Sequence, residues 1–191
     1  MAKVIAFVGS PRRGGNTDRL VDEILAGAAA AGHQTEKVYL ADYDLTPIGP
    51  VQGDEMSWTD DRQHVADELI DRMIEADVVV LGSPVYWFSI SGLLKLFVDR
   101  WALYHPRGRR LRDVIAPAGA AGAGKRMVVA LAMEDPRPGY LPMVLDPLRQ
   151  CARWLRIEWA GEVVATGVRD PGDVENHPEV LARARELGAS L

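Results

Sequence analysis

Short apolar runs of strand length alternate along this chain with longer segments in which apolar residues recur at helical spacing. The runs predict five strands, near Lys3 to Val8, Glu36 to Leu40, Asp77 to Gly82, Arg126 to Met133 and Glu162 to Thr166. The third and fourth are continuously apolar, as is typical of central strands buried on both faces. The alternation therefore predicts an α/β fold, with helices on both sides of a parallel sheet.

Helical spacing predicts five helices between and after these strands. They span Thr17 to Ala31, Val65 to Ile74, Ser91 to Tyr104, Pro142 to Leu155 and Glu175 to Leu187. Two longer stretches, Asp42 to Asp60 and Tyr104 to Gly124, interrupt the alternation and are predicted to be surface loops. Because long loops in compact domains are usually functional or mobile, substrate and partner contacts are expected there.

Length and composition limit the classes of protein that this chain can belong to. At 191 residues, it suits a single domain over 1–191. Its formal charge of −5 argues against a general nucleic-acid binder, which needs an excess of Lys and Arg. Its one cysteine permits no internal disulfide, and neither a signal segment nor a membrane span is indicated. We therefore expect a cytoplasmic protein.

The first predicted strand is followed by a loop, Gly9 to Thr17, that leads directly into a helix. Unpaired N–H groups and the helix dipole at such a helix start attract phosphate. Ser10, Asn16 and Thr17 offer side-chain hydrogen bonds, and Arg12 or Arg13 can add positive charge. The sequence therefore predicts a phosphate-binding loop.

Other interpretations of this loop are weaker. It lacks the Gly-Lys-Ser/Thr ending of nucleoside triphosphatases and the G-x-G-x-x-G spacing of dinucleotide-binding folds. A simple glycine-rich turn, with Asn16 or Thr17 capping the helix, stays open. That alternative explains the glycines and the Asn, but leaves Ser10 and two arginines unexplained.

A second loop follows the third predicted strand. It contains Ser83-Pro84-Val85-Tyr86-Trp87, and the next helix carries Lys95 and Asp99-Arg100. Together with Gly-Ser-Pro-Arg and Gly-Asn-Thr in the first loop, this pattern resembles the NADPH-dependent FMN reductase family, including its iron–sulfur flavoproteins. The resemblance covers most of the chain.

The resemblance implies a flavodoxin-like three-layer sandwich, with a five-stranded parallel sheet of order 2-1-3-4-5. It also implies that FMN is the cofactor. The residues implied to hold the phosphate are Ser10, Arg12, Asn16 and Thr17, and those implied to line the flavin ring and ribityl chain are Pro84, Val85, Tyr86 and Trp87. A sheet of this order opens a crevice between its first and third strands, where both loops lie. A buried aromatic cluster or a subunit contact remains an alternative for the aromatic run.

Three further features are predicted with alternatives. Met133, after the fourth strand, is expected to contact the flavin, with core packing as the alternative. The arginines 107, 109, 110 and 112 could bind the 2′-phosphate of NADPH, or they could form a solvated loop or a charged subunit contact. The four histidines have no metal-site or triad spacing, so we expect surface residues and no metal.

This chain departs from the iron–sulfur members of the family at one segment. Their cysteine cluster falls where this chain has Thr46 to Gly53, which contains no cysteine. Thiolates are the required ligands, so we expect a flavin-only protein. Cys151, on a predicted helix, is expected to be a small core residue.

The resemblance implies an FMN-dependent oxidoreductase that takes hydride from NADPH or NADH and passes electrons to a quinone, flavin, nitro compound or similar small acceptor. No catalytic acid or base is required of the protein, because the cofactor carries the chemistry. A flavodoxin-like electron carrier that reacts poorly with NAD(P)H is the alternative. The resemblance also implies a homodimer or homotetramer.

Overall fold

The computed structural model describes residues 1–50, 60–104, 109–116 and 124–191. Its strands are β1 Lys3–Val8, β2 Gln34–Tyr39, β3 Val78–Tyr86, β4 Ser89–Ile90, β5 Arg126–Met133 and β6 Glu158–Thr166. Its α-helices are α1 Asn16–Ala30, α2 Gln63–Glu75, α3 Gly92–Arg100, α4 Leu111–Ile115, α5 Leu141–Leu155 and α6 Pro178–Ala189. All five predicted helices are present, and the short α4 is additional.

One sheet runs through the molecule in the order β2-β1-β3-β5-β6. These five strands are parallel, and β4 pairs antiparallel with the end of β3. With β4 set aside, the order is the predicted 2-1-3-4-5. The carboxyl ends of β1 and β3 are therefore adjacent, which brings the two predicted binding loops together.

Alternating side chains of the sheet pack into two separate cores. On β1, Ile5 and Phe7 point into one core, while Val4, Ala6 and Val8 point into the other. The first core is closed by α2 to α5, and the second by α1 and α6. Burial on both faces explains why β1, β3 and β5 have continuous apolar runs.

Two predicted strands are longer than expected. β3 continues beyond Gly82 through Pro84, Val85 and Tyr86, which the sequence pattern predicts to be a loop. Pairing between Pro84 and Ala132 of β5, followed by the hairpin to β4, keeps this segment extended. β6 begins at Glu158 rather than Glu162, with an irregularity in register beside Met127.

The histidines differ in their surroundings. His64 is exposed, as expected, and His105 lies outside the described residues. His33 is instead half-buried: its ring accepts the N–H of Ala2 at 3.0 Å and also contacts the carbonyl oxygen of Leu191. It therefore ties the two ends of the chain together.

Two negative observations apply to the described residues. No helix among them is long and apolar enough to cross a membrane. No group of three or more His, Cys, Asp or Glu side chains within them is arranged to hold a metal ion.

Candidate FMN site

The loop after β1 forms one wall of a cavity of about 310 Å³ at the carboxyl edge of the sheet. Its other walls come from the end of β3, the end of β5 and the loop after β6. The lining residues are Ser10, Arg12, Gly15, Asn16, Thr17, Pro84, Val85, Tyr86, Ala132, Glu134, Val168, Arg169 and Pro171. Seven of the nine predicted cofactor-binding residues thus share one cavity.

Unused hydrogen-bond donors make the start of α1 suitable for a phosphate. Gly15, which precedes the helix, has no side chain to cap it. The backbone N–H groups of Asn16, Thr17 and Asp18 have no partner among the described residues. Thr17, which is almost completely buried, lines the cavity beside these groups. These donors and the helix dipole fit an anion.

The shape of this loop is fixed by its own hydrogen bonds. The Ser10 hydroxyl accepts the N–H of Arg12 at 3.2 Å. Gly14, at φ +68°, has a left-handed backbone that glycine adopts without strain, and its N–H donates to the Asp18 carboxylate at 2.6 Å. The loop is therefore ordered before any ligand enters.

Asp18 is a residue of this site that the sequence interpretation missed. It is buried, and besides Gly14 it accepts hydrogen bonds from Tyr39 at 3.1 Å and from Lys37 at 2.9 Å. Although burial opposes the charge on Lys37, hydrogen bonds from Lys37 to Asp22 and Asp18 raise its pKa above the usual value. Asp18 joins the phosphate loop to β2 and remains paired with a cation.

The two arginines of the loop have different surroundings. Arg13 donates to Asp42 at 2.6 Å, and its guanidinium lies 3.9 Å from the centre of the Tyr39 ring. The side chain of Arg12 lines the cavity and donates to the carbonyl oxygen of Arg169 at 3.3 Å. Arg12 is therefore the arginine of this loop that faces the cavity.

A second hydrogen-bonded group joins the two predicted loops. Ser91 caps α3 by accepting the N–H of Leu94, and its hydroxyl donates to the carbonyl oxygen of Gly9 at 2.6 Å. The N–H of Ser91 donates to the Ser83 hydroxyl at 2.9 Å. All these groups are buried, so the spacing between the loops is held firmly.

A wider cavity of about 610 Å³ adjoins the first, with Val85 and Glu134 lining both. It is lined further by Trp87, Phe88, Met133, Asp135, Pro136 and Arg137. The two remaining predicted residues, Trp87 and Met133, therefore lie here. Met133 is buried and also lines this cavity, and its contact with the flavin stays a prediction.

The hairpin between β3 and β4 carries unusual turn residues. Trp87 and Phe88 occupy its two central positions with φ of +47° and +63°. Such turns favour Asn and Gly, because a bulky side chain in the left-handed region is strained. Trp87 is 94% exposed, and Phe88 packs its ring 4.8 Å from that of Tyr140.

Neither Cys151 nor any arginine of the 107–112 segment that the structure describes lines either cavity. Arg107 is outside the described residues, and neither Arg109 nor Arg112 lines either cavity. Arg112 lies 5.3 Å from the centre of the Trp154 ring. Cys151 is half-buried against the core, and burial raises the pKa of its thiol.

Comparisons with known proteins agree with this geometry. The family model for NADPH-dependent FMN reductases matches residues 2–135. The iron–sulfur flavoprotein MJ1083 of Methanocaldococcus jannaschii is 39% identical over 99% of this chain and 95% of that protein. The FMN-dependent NADH:quinone oxidoreductase 1 of Xanthomonas euvesicatoria is 34% identical over 71% of this chain and 70% of its own length.

A solved structure shares the fold. The FMN-dependent NADH-azoreductase of Bacillus anthracis, solved in complex with FMN, superposes with a TM-score of 0.67 over 98% of both chains, at 17% identity. The matched family model, the strand order and the phosphate loop lead to the same assignment: the chain belongs to the NADPH-dependent FMN reductase family.

Proposed function

We propose that this chain is an FMN-dependent NAD(P)H oxidoreductase whose acceptor is a small planar molecule such as a quinone, flavin or nitro compound. The observation that carries the proposal is the pair of adjoining cavities. One has the unpaired donors that a phosphate needs, and the other has aromatic and apolar side chains that suit a planar ring, beside the charged side chains of Glu134, Asp135 and Arg137.

The residues of the first cavity fit the phosphate end of FMN. The N–H groups of Asn16, Thr17 and Asp18 and the Thr17 hydroxyl would hold the phosphate, and Arg12 would neutralise part of its charge. Pro84, Val85 and Tyr86 would then lie along the ribityl chain and ring, at the junction of the two cavities. Trp87 and Met133 would lie beyond the ring, in the second cavity.

The second cavity would receive the nicotinamide and then the acceptor. When bound, FMN supplies the group that accepts hydride and returns two electrons, so the protein needs no acid or base of its own. NAD(P)H leaves as NAD(P)⁺, and the acceptor gains two electrons together with protons from solvent. Trp87 and Met133 would position these planar substrates and limit the access of water.

We expect a ping-pong mechanism, because NAD(P)H and the acceptor would occupy the same cavity one after the other. Steady-state rates with NADPH or NADH and a soluble naphthoquinone should give parallel lines in double-reciprocal plots. An electron carrier would show negligible turnover with NAD(P)H and rapid exchange with a redox partner protein. That result would replace this proposal with the carrier function.

We further propose that residues 1–191 act as a single flavin-binding domain that associates as a homodimer or homotetramer. Exposed aromatic residues support association: Trp154 is 49% exposed and borders an apolar groove with Trp101 and Cys151. Light scattering with in-line chromatography would test it. A monomer across micromolar concentrations would contradict it.

A further inference from the structure

The loop after β6, residues 167–173, forms a wall of the FMN-phosphate cavity although it lies far outside the first two loops in sequence. Val168, Arg169 and Pro171 face the same cavity as Ser10 and Thr17. The match to the family model ends at residue 135, so this wall belongs to a part of the chain that the model does not match.

Asp173 fixes the backbone of this loop. Its carboxylate accepts the N–H of Arg169 at 2.9 Å and the N–H of Asp170 at 2.7 Å. These two backbone hydrogen bonds lower the pKa of Asp173, so the carboxylate stays charged near neutral pH. The N–H of Val168 donates to the carbonyl oxygen of Met133 at 3.0 Å, which anchors the loop to β5.

Asn16 connects this loop to the start of α1. Its buried side chain donates through Nδ2 to the carbonyl oxygen of Asp170 at 3.0 Å and accepts the N–H of Val174 at 3.2 Å. The side-chain amide is therefore engaged by the loop after β6, and the backbone N–H of Asn16 is the group that this residue offers to a phosphate. Arg12 adds a hydrogen bond to the carbonyl oxygen of Arg169.

The Arg169 side chain is available to a ligand at the mouth of the cavity. It is 72% exposed, and its Nη1 lies 3.4 Å from Glu134 Oε1. An exposed ion pair of this kind contributes little, so a phosphate dianion can replace the carboxylate at low cost. With Arg12, it gives the cavity two cations against the one carboxylate of Glu134.

We propose that Arg169 is an additional phosphate-recognising residue of the FMN site and that Asn16 is the positioning residue that holds its loop in place. The inference rests on the proposed function, because it assumes that FMN occupies this cavity. It assigns to the loop after β6 a part in selecting phosphorylated over unphosphorylated flavin.

Binding of FMN and riboflavin to the apoprotein, followed by flavin fluorescence, tests this proposal. Arg169→Met should weaken FMN binding about tenfold to a hundredfold, the effect of one charge-assisted hydrogen bond, and leave riboflavin binding unchanged. Arg183→Met is the matched control: it removes the same charge from an exposed position on α6 that lines neither cavity. The control should bind both flavins as the wild type does.

The outcomes separate this inference from the proposed function. If the wild type fails to bind FMN, the proposed function is wrong. If the wild type binds FMN but Arg169→Met behaves like the control, or loses both flavins equally, only the role of Arg169 is overturned. Arg169 is exposed, so its replacement should not impair folding, and circular dichroism can verify this.

A double-mutant cycle tests the positioning role of Asn16. Asn16→Ala should weaken FMN binding in the wild-type background, and much of that loss should vanish when Arg169 is already Met. A purely structural role would give the same loss in both backgrounds, which would overturn the positioning role. Arg169→Lys should restore part of the preference for FMN over riboflavin.

Discussion

The fully buried guanidinium of Arg100 donates a 2.6 Å hydrogen bond to the carboxylate of Asp60, which is itself almost completely buried. The same guanidinium donates to the carbonyl oxygens of Thr46 and Pro47 at 3.0 and 3.2 Å. Arg100 ends α3, so this pair fastens the segment that follows β2 to the helix beside the candidate FMN site. Arg100 was noted in the sequence only as part of a family motif.

Replacing Arg100 with Met should destabilise the chain by about 3–5 kcal/mol, because it removes the buried cation that is paired with the Asp60 carboxylate. Urea unfolding at pH 7 measures this loss. Arg62→Met is the control: its ion pair with Asp44 is exposed, so it should cost less than about 1 kcal/mol. Equal effects of the two variants would contradict the role given to the buried pair.

Lowering the pH should reduce the difference in unfolding free energy between the wild type and Arg100→Met. The hydrogen bond from Arg100 lowers the pKa of Asp60 to about 2, from an ordinary 3.8. A lowered carboxylate pKa stabilises the folded chain above the ordinary value, and this contribution is lost as pH falls towards 2. The unfolding free energies of the two proteins should converge between pH 5 and pH 2.5. A difference that stays constant over this range would exclude a contribution from the lowered pKa of Asp60.

Lys125 should make stability rise with pH in the alkaline range. Its buried ammonium donates to the carbonyl oxygens of Met73, Ile74 and Ala76 at the end of α2. Burial lowers the pKa of Lys125 to about 8, from an ordinary 10.5. Between these values the unfolded chain binds more protons, so the wild type gains stability as pH increases.

Lys125→Met tests this linkage. The variant should be less stable by about 1–3 kcal/mol, because three carbonyl groups lose a donor. Its deficit relative to wild type should widen between pH 7.5 and pH 9.5, as measured by urea unfolding. Lys95→Met, at an exposed position on α3, provides the control and should show no such widening.

Trp87→Asn should stabilise the fold by about 1 kcal/mol while raising the KM for a quinone acceptor. Asn tolerates the left-handed backbone at φ +47°, and the exposed indole contributes no packing that would be lost. Loss of the indole from the second cavity should weaken binding of planar acceptors. Thermal unfolding and steady-state kinetics measure the two effects.

Trp87→Ala separates the effect of backbone strain at residue 87 from the effect of indole contact with the acceptor. It removes the same indole but keeps a side chain that is strained in this turn, so it should raise KM without stabilising the fold. If the Ala variant is as stable as the Asn variant, strain at this position does not explain the gain. An unchanged KM in both would remove Trp87 from the substrate site.

The central fold could be predicted because burial on both faces leaves continuous apolar runs. β1 and β5 have the predicted bounds, since their sequences change from apolar to polar where the strands end. The extension of β3 through Pro84 could not be predicted, because it depends on pairing with Ala132 of a strand far along the chain. Local pattern contains no information on such pairing.

The same distinction between local sequence pattern and long-range contacts applies to the candidate site. The phosphate loop is local, so Ser10, Arg12 and Thr17 could be identified from their spacing before the helix. The wall formed by Arg169 depends on hydrogen bonds between residues that are distant in sequence. One of them joins Asn16 to Asp170, and these two residues are 154 positions apart. Nothing in the sequence around 168–171 marks it as part of an anion site until the fold brings it to α1.

The proposed function requires that this chain binds FMN and that the bound flavin accepts hydride from NAD(P)H. Anaerobic mixing of the FMN-loaded protein with NADPH, and separately with NADH, tests it most directly by following the absorption band of oxidised flavin in a stopped-flow instrument. We predict rapid bleaching whose rate saturates with nucleotide concentration. Flavin that stays oxidised for minutes with both donors would contradict the reductase account.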